Sequence, residues 1–157
     1  MSISLIDQLS QVKNVNAMKW SAPTVQLYRE GLVSFSDKLV IIDNGGEHVW
    51  SNVLGAAGFI THLSGFWPEY PSEIWALLKA SEYDGVKKRL GDFKWKWREW
   101  ITKVIQETGG EGPFIKAAME RVGLPAGPPR PPSVRPPEHL MAELDVLMKN
   151  AGTPIYK

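Results

Sequence analysis

One residue that could do covalent chemistry is a lysine at the end of a short apolar run. Positions 15–22 read VNAMKWSA, and Lys19 directly follows the run Val15–Met18. Such a run, bounded by polar residues, predicts a buried strand. A lysine amine is a nucleophile only in its neutral form, which burial favours. The residues alone leave two interpretations open, a reactive amine or the ordinary exposed end of a strand.

Polar residues also follow the next predicted strand. Leu39–Ile42 is a continuous run without alternation, which is typical of parallel strands covered on both faces. It is followed by Asp43 and Asn44 and then by two glycines, a loop signal. Candidate polar side chains therefore follow two strands in succession.

The elements around these residues alternate between helix and strand. This order, with short connections, predicts an α/β fold with a parallel sheet. The predicted elements before residue 66 are a helix over 4–12, a strand over 15–18, a helix over 23–31, a strand over 39–42, a helix over 47–54 and a strand over 58–61.

Beyond residue 66 the sequence predicts helices. Apolar residues recur every three or four positions over 82–106 and again over 138–150, and shorter helices are predicted over 68–80 and 113–123. The proline-rich segment 123–137 is stiff and extended. We interpret it as a strap across a domain surface, with a ligand for a proline-recognising module as the alternative.

Composition narrows the possible function classes. The chain has 157 residues, is 43% hydrophobic and 22% charged, and carries a net charge of +1. It contains no cysteine, which excludes disulfides and thiolate metal sites, and its three histidines lack metal-ligand spacing. The N-terminus lacks a signal-peptide pattern and no apolar run is long enough to span a bilayer. We therefore expect a cytoplasmic, soluble protein of one domain, with no metal, no cofactor and no membrane partner.

Basic and aromatic residues interleave over Phe93–Trp100, as they can in single-stranded nucleic-acid or membrane-surface binding modules. Phe93, Trp97 and Trp100 continue the apolar stripe of their predicted helix, and only Trp95 clearly lies off it. We therefore expect this helix to pack against protein and not to bind nucleic acid.

Several motifs, taken in order, resemble one family. The chain is similar to the C-terminal part of the dihydrodipicolinate synthase and N-acetylneuraminate lyase proteins, which are (β/α)8 TIM barrels with extra C-terminal helices. The resemblance covers nearly the whole chain and rests on the order of AMKWSAP at 17–23, GAAGFI at 55–60, GPFIKAA at 112–118 and VGLP at 122–125.

The resemblance implies a partial TIM barrel and a site. Residues 1–65 would be strands six to eight of the barrel, and residues 66–157 the last barrel helix with a C-terminal helical extension. Lys19 falls on the family's Schiff-base lysine, which implies carbon–carbon lyase or synthase chemistry on pyruvate or a related 2-keto acid. Asp43, Asn44 and Ile60 fall on substrate-binding positions, and the family needs no cofactor.

The sequence departs from the family pattern in ways that bear on activity. Trp20 replaces an acidic residue, Pro23 replaces a glycine, and the first five strands are missing, with the family's proton-relay tyrosine and carboxylate-binding loop. We expect a homo-oligomer or a partner chain that supplies those strands, joined through the first strand region. The alternative is a non-catalytic fragment or structural subunit that keeps the fold.

Overall fold

The computed structural model describes residues 1–156. Its elements are α1 (Ile3–Ser10), β1 (Ala17–Trp20), α2 (Val25–Phe35), β2 (Val40–Asp43), α3 (His48–Val53), β3 (Gly58–Phe59), a 3-10 turn (His62–Gly65), α4 (Glu69–Lys79), α5 (Tyr83–Arg89), a π-helical turn (Leu90–Lys94), α6 (Trp95–Thr108), α7 (Gly112–Arg121) and α8 (Glu138–Ala151). Two compact units can be distinguished, one formed by Met1–Thr61 with Leu78–Ser81 and the other by His62–Leu77 with the chain from Glu82 onward.

The first unit contains a parallel sheet in the order β1-β2-β3, which confirms the predicted α/β class. Lys19 is paired in register with Ile42, and Ile42 with Gly58. The strand predicted over 15–18 lies two residues later, over Ala17–Trp20, so Lys19 is inside the strand and not after it. The difference arises because Trp20 also packs into the core, which the apolar run did not indicate.

One face of this sheet is covered by helices. Thr24 caps α2, because its hydroxyl accepts a hydrogen bond from the Leu27 amide at 3.2 Å. The helix therefore begins at Val25, two residues after the predicted start at Pro23. The helices and the sheet enclose a buried apolar cluster: Ile6, Trp20, Tyr28, Leu32, Phe35, Leu39, Ile41 and Ala56.

The opposite face of the sheet is open. Side chains alternate along a strand, so Ala17 and Lys19 lie on the same face as Val40. Ala17 and Lys19 are exposed, and 50% of Val40 is exposed. The sequence predicted cover on both faces of β2, and the described chain supplies it on one.

The outer edge of β1 is also open within residues 1–156. The Asn16 and Trp20 carbonyls accept hydrogen bonds from the amides of Val40 and Asn44, at 2.9 and 2.8 Å. Because backbone groups alternate in direction along a strand, those of Ala17 and Lys19 point to the other edge. No strand of the described chain pairs there, and such an edge is a template for another strand.

The second unit has an aromatic core. The ring centroids of Trp97 lie 5.1 Å from those of Phe66 and Trp100, and Phe93 and Tyr70 meet edge to face at 5.2 Å. The Trp100 indole donates to the Leu140 carbonyl at 2.8 Å, which satisfies its buried N–H. Three of the four aromatics in Phe93–Trp100 are therefore core residues, and Trp95 is 48% exposed.

The long helix predicted over 82–106 is divided in the structure. α5 and α6 are joined by the π-helical turn Leu90–Lys94, and α6 continues to Thr108. Apolar spacing of three and four residues does not distinguish an α-turn from a single π-turn, so the sequence could not show the irregularity.

The proline-rich segment after Gly123 contains no helix or strand until α8 begins at Glu138, as the strap interpretation predicts. Lys116 donates to the Ala126 carbonyl, and Arg135 pairs with Glu120. Across residues 1–156, no helix combines the length and apolar character needed to cross a bilayer.

Candidate functional site

Lys19 lies at the β1 end of a row that crosses the sheet on its open face. Its neighbours in this row are Ile42 on β2 and Gly58 on β3. The Lys19 side chain is exposed, and Gly58 has no side chain to fill the space next to Ile42. The amine therefore projects from a sheet surface that is open to a ligand or to further strands.

Trp20, the residue next to Lys19, fixes the strand from the opposite face. Its indole N–H donates to the Tyr28 carbonyl at 2.8 Å, and its ring stacks on the Tyr28 ring at 6.5 Å. A Cβ atom on Gly31 would lie 2.5 Å from the Trp20 ring, a distance that real Cβ contacts do not reach. Glycine at position 31 is thus required for the indole to lie flat against α2.

A buried carboxylate holds the carboxyl end of β2. Asp43 is fully buried, and one of its oxygens accepts hydrogen bonds from the Tyr28 hydroxyl at 2.6 Å and the Gly45 and Gly46 amides at 2.6 and 3.1 Å. The other oxygen contacts His48 Nδ1 at 2.7 Å. The strand end, helix α2 and helix α3 are therefore tied together through one side chain.

The hydrogen bonds decide the ionisation of this carboxylate. Burial alone would raise the pKa of Asp43, but hydrogen bonds from His48 and Tyr28 outweigh burial and hold the pKa below its usual value. Burial, and then the bond to Asp43, raise the pKa of the Tyr28 hydroxyl far above its usual value. Tyr28 is therefore a stable donor, and Asp43 is an anion at neutral pH.

The predicted site residues separate onto different surfaces. Lys19 is on the open face, and Asn44 and Ile60 are exposed at the carboxyl ends of β2 and β3, with 47% of Ile60 exposed. The Ile60 amide donates to the Asp43 carbonyl at 2.8 Å. The Asp43 side chain, one position beyond Ile42, points to the helix-covered face, so it lies behind the loop and not beside Lys19.

Sequence reasoning missed the residues that support this strand end. Tyr28 and Gly31 are far from their partners along the chain, and no spacing rule connects them. His48 and Ser51 follow Asp43 by five and eight residues, with Ser51 Oγ 3.4 Å from the Asp43 carboxylate. The sequence did offer one signal for this network. An aspartate ends the strand, and a glycine pair and a short helix with a histidine follow it.

The reactive group that this surface presents is the amine of Lys19. In the part of the chain that the structure describes, no group of three or more His, Asp or Glu side chains is arranged to hold a metal ion. Buried Ser51 also donates to the His48 carbonyl, at 3.0 Å, so it is not placed as a nucleophile.

Comparison with known proteins identifies the fold. The chain matches dihydrodipicolinate synthase from Bacillus clausii with a TM-score of 0.79 and 19% identity, over 95% of this chain and 51% of that one. The enzyme of the same name from Oceanobacillus iheyensis matches at 0.79 and 22%, over 96% and 50%. N-acetylneuraminate lyase from Fusobacterium nucleatum matches at 0.72 and 21%, over 95% and 49%.

These matches confirm the predicted resemblance at the level of fold, a partial TIM barrel with appended helices. The chain spans about half the length of the solved structures it matches. No protein-family profile matches the sequence, and no curated protein matches it. The assignment of the three strands as strands six to eight, with a boundary at residue 65, remains a prediction.

Proposed function

We propose that this chain is the C-terminal part of a Schiff-base-forming lyase or synthase that acts on pyruvate or a related 2-keto acid through Lys19. The observation that carries the proposal is the position of Lys19. It lies near the carboxyl end of a parallel strand, on the open sheet face, in a fold shared with a synthase and a lyase. In TIM barrels the active site is at the carboxyl ends of the strands.

The role of Lys19 follows from amine chemistry. A neutral amine attacks the ketone carbon, and loss of water gives an imine that accepts electrons when a neighbouring carbon–carbon bond is made or broken. Burial favours the neutral amine, but the Lys19 side chain is exposed in this chain. We infer that strands outside this chain supply the missing cover.

The same reasoning specifies the partner. The open face around Lys19 and Val40 and the free edge of β1 call for a chain that adds parallel strands beside Ala17–Trp20. The proposed partner carries the five remaining strands of the barrel, as a separate subunit or as more of the same protein. A cytoplasmic location and the absence of nucleic-acid partners remain part of this proposal.

The remaining site residues take different roles. Asn44 and Ile60 are exposed at the strand ends and are assigned to the pocket rim, where they would contact the substrate. Asp43 was predicted to bind substrate too, but its oxygens are occupied by protein donors. We assign it the positioning of the Asn44–Gly46 turn.

Borohydride trapping tests the proposal. The chain is incubated with pyruvate and borohydride, alone and together with a chain carrying the first five strands, and the modified peptide is identified by mass spectrometry. We expect reduced adduct on Lys19 in the completed assembly, and its loss in Lys19→Arg, which keeps the charge but forms no imine.

Lys38→Arg is the matched control, because Lys38 is an exposed lysine of the same unit whose amine is paired with Asp7 at 2.8 Å. Labelling should be unchanged in this variant. Adduct on Lys38 or Lys116 instead of Lys19 would contradict the assignment. A completed assembly without any adduct would favour the non-catalytic subunit, and efficient turnover by the isolated chain would show that the missing strands are not required.

A further inference from the structure

A groove runs between two antiparallel helices of the second unit. Lys103 contacts Glu143 at 2.7 Å and Glu107 contacts His139 at 3.4 Å, so α6 and α8 run in opposite directions. The groove has a volume of about 560 Å³. Its floor includes the buried side chain of Trp100 and the side chain of Val146, which is 60% exposed. Val146 therefore leaves apolar surface exposed beside the groove.

One wall of the groove, formed by α6 and the π-helical turn before it, carries alternating charges. Asp92, Lys96, Glu99 and Lys103 all line it, with signs −, +, − and +. Asp92, Lys96 and Glu99 are exposed and form no ion pair within residues 1–156. Along the helix this row spans about 16 Å, at about 1.5 Å per residue. Three of the four charges in the row therefore have no ion-pair partner within residues 1–156, and Lys103 is paired with Glu143.

The order of the charges is self-complementary in an antiparallel arrangement. Asp92 precedes Lys96 by four residues, and Lys103 follows Glu99 by four. When Lys96 of one copy lies opposite Glu99 of a second, antiparallel copy, Asp92 lies opposite Lys103. Two-fold symmetry repeats both contacts, which gives four facing pairs of opposite charge and none of like charge.

We propose that this face pairs with the same face of a second copy of the chain. The two α6 helices lie antiparallel across a two-fold axis near the middle of the charged row. The two-helix faces formed by α6 and α8 then pack on each other as in a four-helix bundle. The contact covers Val146 and the groove floor, and it is independent of the chemistry at Lys19.

Trp95 supports the same arrangement. It lies on α6 three residues after Asp92 and four before Glu99, so it borders the charged row, and 48% of it is exposed. In the paired state it lies at the rim of the contact. The contact would then cover part of the Trp95 ring, which the core of the second unit leaves exposed.

Charge reversal tests the proposal with the full chain. Sedimentation over a wide concentration range measures dimerisation of the wild type, Lys96→Glu, Glu99→Lys and the double variant. Each single reversal creates two like-charge pairs, so we expect dimerisation to weaken about tenfold. The double variant restores opposite charges at both contacts and should dimerise like the wild type. Added salt should weaken the wild-type dimer.

Mixing the two single variants separates this surface from any other. Lys96→Glu carries two acidic residues at these positions and Glu99→Lys two basic ones, so the mixed dimer has only opposite pairs. We expect the equimolar mixture to dimerise about tenfold more tightly than either variant alone. Thermal unfolding of each variant checks that the exposed substitutions leave the fold intact.

Three outcomes would overturn the proposal. The first is a wild-type chain that stays monomeric at every concentration, which would leave the groove to a different occupant. The second is association that is unchanged in both single variants, as expected for pairing through the free edge of β1. The third is a mixture that associates no more tightly than its components.

Discussion

The two compact units differ in how completely they bury their aromatic and apolar side chains. In the second unit the rings of Phe93, Trp97 and Trp100 are enclosed by other side chains of the same unit. In the first unit one face of the sheet is just as well packed, with Trp20 and Ile41 fully buried, while the other face leaves Val40 half exposed. Folding of this chain therefore encloses the aromatic core of the second unit, but it covers only one face of the sheet in the first unit.

The difference bears on the partner proposed above. A buried apolar side chain contributes about 1.5–3 kcal/mol through removal from water, and the open sheet face has not gained this stabilisation. Lys19 is on that face and not among the helices. The uncovered sheet face and the surface that carries the candidate amine are thus the same.

The largest expected effect concerns the enclosed core of the second unit. Phe93→Ala removes a ring that contacts Trp67, Tyr70 and Trp97. We expect the free energy of unfolding to fall by about 3–5 kcal/mol, measured by urea denaturation. Trp95→Ala, at low protein concentration, is the matched control and should change it by less than about 0.5 kcal/mol. Equal effects of the two substitutions would break the distinction between core and surface aromatics.

The second prediction concerns the polar support of the sheet in the first unit. Asp43→Asn replaces a buried anion that accepts from Tyr28, Gly45 and His48. We expect a loss of about 1–3 kcal/mol at neutral pH, because an amide cannot accept all of these bonds. Circular dichroism during denaturation gives the value. Ser72→Ala is a control, since Ser72 is exposed and bonds only within its own helix turn, to the Pro68 carbonyl.

The pH dependence of this loss has a definite sign. The pKa of Asp43 is lower in the folded chain than in the unfolded one, so its contribution is fully present above about pH 4 and declines as the pH falls through the folded pKa. The difference between wild type and Asp43→Asn should therefore shrink in acid. A difference that stays constant down to strongly acid pH would contradict an ionised Asp43.

The smallest expected effect concerns the open face. Val40→Thr keeps a β-branched residue, and in the isolated chain we expect the free energy of unfolding to change by less than about 0.5 kcal/mol. Ile41→Ala, at the neighbouring fully buried position, should lower it by about 2–5 kcal/mol. In an assembly that covers the face, Val40→Thr should become destabilising too. A large effect in the isolated chain would mean that Val40 is already covered.

Most of the fold was predictable because its elements have local signals. The β-branched residues before Asp43 indicated β2, and α8 follows its predicted range closely, with Leu140, Leu144 and Leu147 buried. The start of β1 was predicted two residues early, since a packed tryptophan is not part of an apolar-run pattern. Local periodicity also carries no information on the π-turn within the long helical segment.

The candidate site was predictable in part. The motif AMKWSAP predicted Lys19 as a candidate, but its sheet face follows only from the observed bounds of β1. The role of Asp43 could not be read in the same way, because the run Leu39–Ile42 has no polar alternation to show which face each residue takes. Its partners Tyr28 and His48 come from two different helices, so the network exists only after those helices pack.

The packing of Trp20 against Gly31 bears on how an assembly would form. The indole is held by its hydrogen bond to Tyr28 and by the absence of a side chain on Gly31, so β1 cannot slip by one residue without expelling the ring from the core. The register of β1, and with it the backbone at Lys19, is fixed when the first unit folds. A chain that pairs with β1, as proposed above, would then meet a single arrangement of strand edge and amine. The conformational entropy of the strand edge is lost when the first unit folds. Ordering this edge therefore does not reduce the affinity for a chain that binds later.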